Sequence, residues 1–240
     1  MEPRPSVIQT RLKDVNRVIA VASGKGGVGK SMVASTLALT LAKQGKKVGL
    51  LDLDLYGPSS HIILGFTPNG FPDEEHGIIP QEIQGIKFMS LVYFSEDKPG
   101  AFRGDDVTNI ILELLAITRW DNLDYLILDL PPGIGDETLD VISYIPQTEF
   151  LVVTTPSKVA FGAVEKLLKI LIEGKLPLLG VVENMVRNHD DFISTQVSDL
   201  KGNYLSSLSY DPTVEDALGN ASALLSTTFA DDISKLIKKI

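Results

Sequence analysis

The sequence contains no cysteine. Within these 240 residues that excludes a disulfide framework, a thiolate zinc site and a cluster held by the chain's own thiolates. Histidine is nearly as scarce: His61, His76 and His189 are the 3 present, and they lie far apart. His76 sits in a DEEH run, which reads as a solvated loop before it reads as a metal site, because an isolated imidazole needs convergent partners. Positive charge is in deficit, with 22 Lys+Arg against 31 Asp+Glu and a formal net charge of −9. This balance argues against a nucleic-acid partner, which needs a basic footprint. No uncharged apolar run reaches the length of a membrane span, and residues 1–16 carry no signal-peptide core. A soluble, cytoplasmic protein is expected.

What the chain does have is a rhythm of short apolar runs and longer helical patterns. Strands are predicted at 17–22, 48–52, 86–89, 125–129, 150–154 and 178–182, with a further short one at 204–208. Helices are predicted at 30–44, 107–118, 137–143 and 161–173. The strand runs are nearly continuous in β-branched residues and leucine, the mark of parallel strands buried on both faces. The prediction is a single α/β domain over 1–240, a doubly wound, mostly parallel sheet between two helical layers. Residues 67–80, rich in Pro, Gly and acid, and the polar stretch 187–207 are expected to be surface excursions. Near the C-terminus Ile233, Leu236, Ile237 and Ile240 share one helical face, with Lys235, Lys238 and Lys239 away from it. That face is expected to pack on the sheet, with a membrane surface as the alternative.

The chemistry concentrates at residues 23–31, SGKGGVGKS. Gly24, Lys25, Gly26, Gly27, Val28, Gly29, Lys30 and Ser31 fill every position of the phosphate-binding P-loop pattern, between a predicted strand and a predicted helix. Glycines let consecutive N–H groups wrap an anion, the helix dipole adds to the attraction, and Met32 continues the cradle. Lys30 is expected to reach the β- and γ-phosphates and the Ser31 hydroxyl to ligate Mg²⁺. The same residues also match a dinucleotide fingerprint (Gly24, Gly26, Gly29, with Asp52 about twenty residues on). The Lys30–Ser31 pair decides for the P-loop, since a pyrophosphate turn has no use for it. ATP with Mg²⁺ is therefore expected, in a three-layer P-loop NTPase fold. Asp129, closing an apolar strand, is the second expected Mg²⁺ residue, and Gly133 in the following PPG could sense a γ-phosphate. Asp52 and Asp54 end the strand after the P-loop helix. Asp54 is assigned to positioning or activating the attacking water, Asp52 to support of the loop, and both to the surroundings of the Mg²⁺.

With these motifs the sequence resembles the deviant Walker-A ATPases, a group that includes MinD, ParA, the nitrogenase iron protein and the Mrp-type carriers. KGGVGKS, DLDLYGPS and LDLPPGIGD resemble the Mrp branch most, over roughly residues 17–218. The resemblance implies that Lys25 crosses a dimer interface to the partner's phosphates, so that Lys25, Lys30 and Asp54 act together in catalysis. It implies that Asn184 reads the adenine edge, and that Asp211 and Pro212 belong to a loop closing over the base. Mrp-type iron–sulfur carriers place a Cys-x-x-Cys where this chain has VRNHDDFIS, so cluster carriage would need a partner to supply every ligand. The central region, including ILGF, FPDEEHGIIP and the Arg103–Gly104 pair, looks closer to a cysteine-free offshoot, the ATPase-type HypB of nickel–iron hydrogenase maturation. The function this implies is a dimeric, slowly hydrolysing ATP switch that assists a small nickel metallochaperone. The alternatives are a MinD-like membrane-cycling regulator and an Mrp-like iron–sulfur assembly factor.

Overall fold

The computed structural model describes residues 4–54, 57–68, 70–94, 105–133, 135, 143–188 and 190–240. The helix expected at 137–143 (except Ser143), Arg103, Gly104 and His189 lie outside them. Eight strands form one sheet: β1 (Val15–Ser23), β2 (Val48–Asp52), β3 (Gln81–Ile83), β4 (Ile86–Ser90), β5 (Leu123–Asp129), β6 (Glu149–Thr154), β7 (Leu178–Val186) and β8 (Tyr204–Ser209). Their order is β3-β4-β2-β5-β1-β6-β7-β8. Every pairing is parallel except the β3–β4 hairpin at one edge. Helices α1 (Arg4–Leu12), α2 (Lys30–Lys43), α3 (Ser60–Leu64), α4 (Asp105–Ile117), α5 (Lys158–Glu173), α6 (Phe192–Asp199), α7 (Thr213–Asp216), α8 (Ala221–Leu224) and α9 (Thr228–Ile237) complete the described elements.

The burial explains the pattern read from sequence. In β1 and β2, residues on both faces are buried, from Val18 to Ser23 and from Val48 to Asp52, because helices cover the sheet on either side. Helix α2 is buried along Val33–Leu41 and lies inside the molecule, which is why its sequence is apolar all round. Helix α9 packs on α2 and β8. Its Phe229, Ala230, Ile233 and Leu236 are buried, and Ile237 and Ile240 pack against the core. The apolar face that a membrane would have to take up is thus already covered by protein. Among the described residues no helix is long and apolar enough to cross a membrane.

The two expected excursions are tied into the body to different degrees. Residues 187–207 are not simply a surface detour: α6 packs through Ile193 and Val197, and β8 closes the sheet edge beyond β7. Its polar look comes from an amphipathic helix of 8 residues and an edge strand exposed on one side. The 67–80 stretch is fastened to the body through Ile78, whose N–H donates to Ile117 O while its carbonyl accepts from Arg119 N. Arg11 Nη2 donates to His76 O at 2.6 Å and Arg119 Nη1 to Glu75 O at 2.7 Å, so the DEEH run is held by its backbone. Helix α1, which packs on α4, was not expected; its Ile8 and Leu12 are the only buried residues in nine, too few for a periodic signal.

Candidate functional site

Strands β1, β2 and β5 all end on the same edge of the sheet, and the residues that terminate them meet there. Register places Asp52 and Asp129 side by side on neighbouring strands, with Val21 opposite Asp129 on the other side. Both carboxylates are fully buried. Lys30, the first residue of α2 and only 6 % exposed, forms a direct ion pair with Asp129 Oδ1. Asp129 Oδ2 accepts from Ser60 Oγ at 3.3 Å. Asp52 accepts backbone N–H groups from Asp54 and Ser60, both at 3.1 Å, and so shapes the turn from β2 into α3. One ammonium therefore faces two buried carboxylates. Burial, and then the charge of Asp129, push the Asp52 carboxyl up to about 7. Burial also pushes Asp129 up, opposed by the ammonium of Lys30.

In front of this buried trio lies a cavity of about 460 Å³. Lys25, Gly26, Gly27, Val28, Gly29, Lys30, Ser31 and Met32 line it, together with Asp54 and Pro132. Gly29, immediately before α2, has a left-handed φ of 79°. The first N–H groups of a helix have no partner within it, and those of Lys30, Ser31 and Met32 open here, so the wall is a cradle for an anion. Gly24 serves packing: a Cβ there would stand 2.4 Å from Ala163 C in α5, so this helix sits directly on the loop. Lys25 is exposed, and among the described residues its ammonium has no hydrogen-bond or ion-pair partner. Gly133 lies beside the loop, but its N–H donates to Ser23 O at 2.9 Å and is already in use.

Strand β7 supplies the neighbouring wall. Its register with β8 shifts between Glu183 and Val186, and Met185 adopts a φ of 62°, a bulge that turns Asn184 towards the start of α2. Asn184, 3 % exposed, donates from Nδ2 to Val28 O at 2.9 Å. Asn184, Asp211 and Pro212 line one further cavity, which shares Gly29 and Met32 with the first.

The sequence-derived site residues are thus brought together in two ranks. Lys25, Lys30, Ser31 and Asp54 line the first cavity, while Asp52 and Asp129 stand behind it. Asp52 and Asp54 were expected on one side of a strand, but β2 stops at Asp52 and the chain turns, so the two have different surroundings. Ser60 was missed. It is fully buried and touches both carboxylates, and the one sign of it was its place at the first turn after the Pro58–Ser59 loop. The hard oxygen donors (the Ser31 hydroxyl, with Asp129 behind it) and the surplus buried carboxylate fit a Mg²⁺ accompanying phosphate. Among the described residues no group of three His, Asp or Glu is placed to hold a metal, and His61 and His76 take part in none.

Comparison with known proteins corrects one expectation and fixes the family. The chain is 41 % identical over 177 residues to the iron–sulfur cluster carrier protein of Pseudomonas fragi, covering 72 % of this chain and 62 % of that protein. It therefore spans less than two thirds of that relative's length. The relative's name places it with iron–sulfur clusters, and the expected nickel metallochaperone role, drawn from the likeness to HypB, is overturned. The misleading signals were the missing cysteines and the central region, which do not define the branch. Among solved structures, a nucleotide-binding protein from Archaeoglobus fulgidus in complex with ADP superposes with a TM-score of 0.78 at 32 % identity, covering 92 % of this chain and 93 % of that one. The cell division ATPase MinD of Pyrococcus furiosus shares the fold, with a TM-score of 0.68 at 21 % identity over 94 % of this chain and 98 % of that one. A family model described as ParA, NUBPL iron-transfer P-loop NTPase, matches residues 14–232, and the chain belongs to that family.

Proposed function

We propose that this chain is an ATP-binding and ATP-hydrolysing dimeric switch in iron–sulfur cluster assembly, in which the cluster is cargo and its thiolate ligands come from another protein. The observation that carries the proposal is the Lys30–Asp129 pair set directly behind a P-loop cradle, in a chain with no cysteine. Loading a nucleotide draws Lys30 from Asp129 to the phosphates, so the protein exchanges an internal ion pair for an external one. That exchange leaves Asp52 and Asp129 without their ammonium, a charge that a Mg²⁺ accompanying the nucleotide would compensate. Ser31 would hold the ion directly and Asp129 through water, with Asp52 fixing the turn that carries Asp54. Asp54, in the cavity wall, positions the attacking water. Lys25, exposed at the mouth, reaches the phosphates of a second subunit and stabilises the charge that develops in transfer. Turnover is slow, because a switch uses hydrolysis as a timer.

Asp54→Ala should hold the ATP state and serve as bait. Purified anaerobically with ATP from cells that make the protein, the tagged variant is expected to bring down proteins carrying iron and acid-labile sulfide, and to release them with ADP. The chain alone, incubated with iron and sulfide, is expected to gain no absorption band near about 400 nm, since it has no thiolate to bind a cluster. An eluate free of iron and sulfide in both nucleotide states would overturn the assembly role.

A further inference from the structure

Helix α3 is a wall shared by two cavities. Its first residue, Ser60, donates to Asp52 and Asp129 behind the P-loop, and Ile62 lines the P-loop cavity. Ile62 also lines a wider cavity of about 690 Å³, together with His61, Phe66, Phe71, Val92 and Tyr93. The aromatic part of that wall is firmly held. Phe66 meets Phe88 edge-on at 6.2 Å and Tyr93 at 6.1 Å, and Tyr93 Oη donates to Gln81 Oε1 of β3 at 3.2 Å. Ile62 and Phe71, by contrast, are 57 % and 65 % exposed. Single apolar side chains on a surface are ordinary, but two large ones beside the same apolar cavity mark a binding surface.

Charge beside this cavity has one sign. Two residues past Phe71 the chain runs Asp73-Glu74-Glu75, all exposed, so the run begins within about 7 Å of the Phe71 backbone. Arg119 pairs with Glu75 at 3.3 Å, while among the described residues Asp73 and Glu74 are in no ion pair. Backbone bonds hold the run in place: Ile79 N donates to Asp73 O at 2.8 Å, and Glu75 N to Gly77 O at 2.9 Å. Burial keeps the His61 imidazole below its ordinary range, so it adds no positive charge near neutral pH.

We propose that this cavity docks a protein segment in which an apolar side chain is flanked by lysine or arginine. The apolar side chain enters between Ile62 and Phe71, and the cations meet Asp73 and Glu74. A second copy of this chain does not fit that description, since its net charge of −9 would bring like charge to the run. A small apolar molecule would use the cavity and leave the acids idle. One part of the inference rests on the nucleotide reading above. Because Ser60 ties α3 to Asp129, nucleotide and Mg²⁺ arriving there shift the wall that both cavities share, and the segment binds the ATP and ADP forms differently.

A phage-displayed random-peptide library, panned on the native chain with Phe71→Ser as the counter-surface, tests this. Enriched peptides are expected to join an aromatic or aliphatic residue to Lys or Arg. The most enriched peptide, made synthetically and labelled, should bind Phe71→Ser and Ile62→Ser at least about tenfold more weakly than the native chain. Asp73→Asn combined with Glu74→Gln should weaken it about threefold and flatten its salt dependence. All four side chains are exposed, so denaturant unfolding should not move, which separates lost docking from lost fold. Between the native chain loaded with ADP and Asp54→Ala loaded with ATP, peptide affinity should differ about tenfold, and Ser60→Ala should close that gap. No enrichment over the counter-surface, enrichment of acidic or uncharged peptides, or equal binding by the variants overturns the docking site. Self-association of the native chain that Phe71→Ser abolishes would overturn it too, by giving the cavity to a second copy. Equal affinity for the ATP and ADP forms overturns the coupling through Ser60. A chain that binds no ATP but still selects basic, apolar peptides would remove the nucleotide reading and leave the docking site standing.

Discussion

Lys30→Ala is expected to weaken ATP binding by at least about 100-fold, the loss of charge-assisted hydrogen bonds from one ammonium to two phosphates. The variant should also lose stability without nucleotide. Removing Lys30 leaves Asp129 fully buried beside Asp52, both without the one ammonium that opposes their burial among the described residues. Breaking a buried pair from one side typically costs about 3–5 kcal/mol, partly relieved here if a carboxyl takes up a proton. The two effects have different causes and can be separated. In Lys30→Ala combined with Asp129→Asn, most of the stability should return, because the orphaned charge is gone, while nucleotide binding should not. Denaturant unfolding and calorimetry on the single and double variants read both. Unchanged ATP affinity in Lys30→Ala would mean that the cradle at the start of α2 is not the phosphate site.

Lys25→Ala is expected to do the opposite. Lys25 is exposed, so unfolding free energy should move by no more than about 0.5 kcal/mol. ATP should bind the monomer nearly as before, since Lys30 and the helix N-terminus remain. Hydrolysis should fall by about 1000-fold, the scale on which a cation supplied by a neighbouring subunit acts in phosphoryl transfer. ATP-driven dimerisation, followed by sedimentation, should be lost with it. Native turnover by the variant would remove Lys25 from the reaction and leave the dimer without its chemical reason.

Much of this arrangement was legible in the sequence. The predicted 48–52 strand coincides with β2, and the expected 30–44 helix ends one residue beyond α2 as observed. Such accuracy is natural where a strand is buried on both faces and a helix is bounded by glycines, because hydrophobic run length and chain reversal then coincide. Signals faded where an element is half-exposed: α1 buries too few residues to register, and α6 looked like a polar loop, although the short strand expected at 204–208 matches β8. Within the site, the residues that line the cavity were found from motif spacing. The ones that shape it were not. Ser60 joins Asp52 to Asp129, Thr228 holds Asp211 from 17 positions away, and the Asn184–Val28 bond spans 156. Contacts of that separation follow from sheet order, which a periodicity does not encode. The cellular role was read wrongly for a related reason: a missing Cys-x-x-Cys excludes one chemistry in this chain but does not name another.

Phosphate release from Mg-ATP by the native chain and by Asp54→Ala, with bound nucleotide measured in the same samples, tests the central claim most directly. The account predicts slow release by the native chain, and undiminished ATP binding but no release by the variant. Equal release by both, or no ATP bound by the native chain, would contradict it.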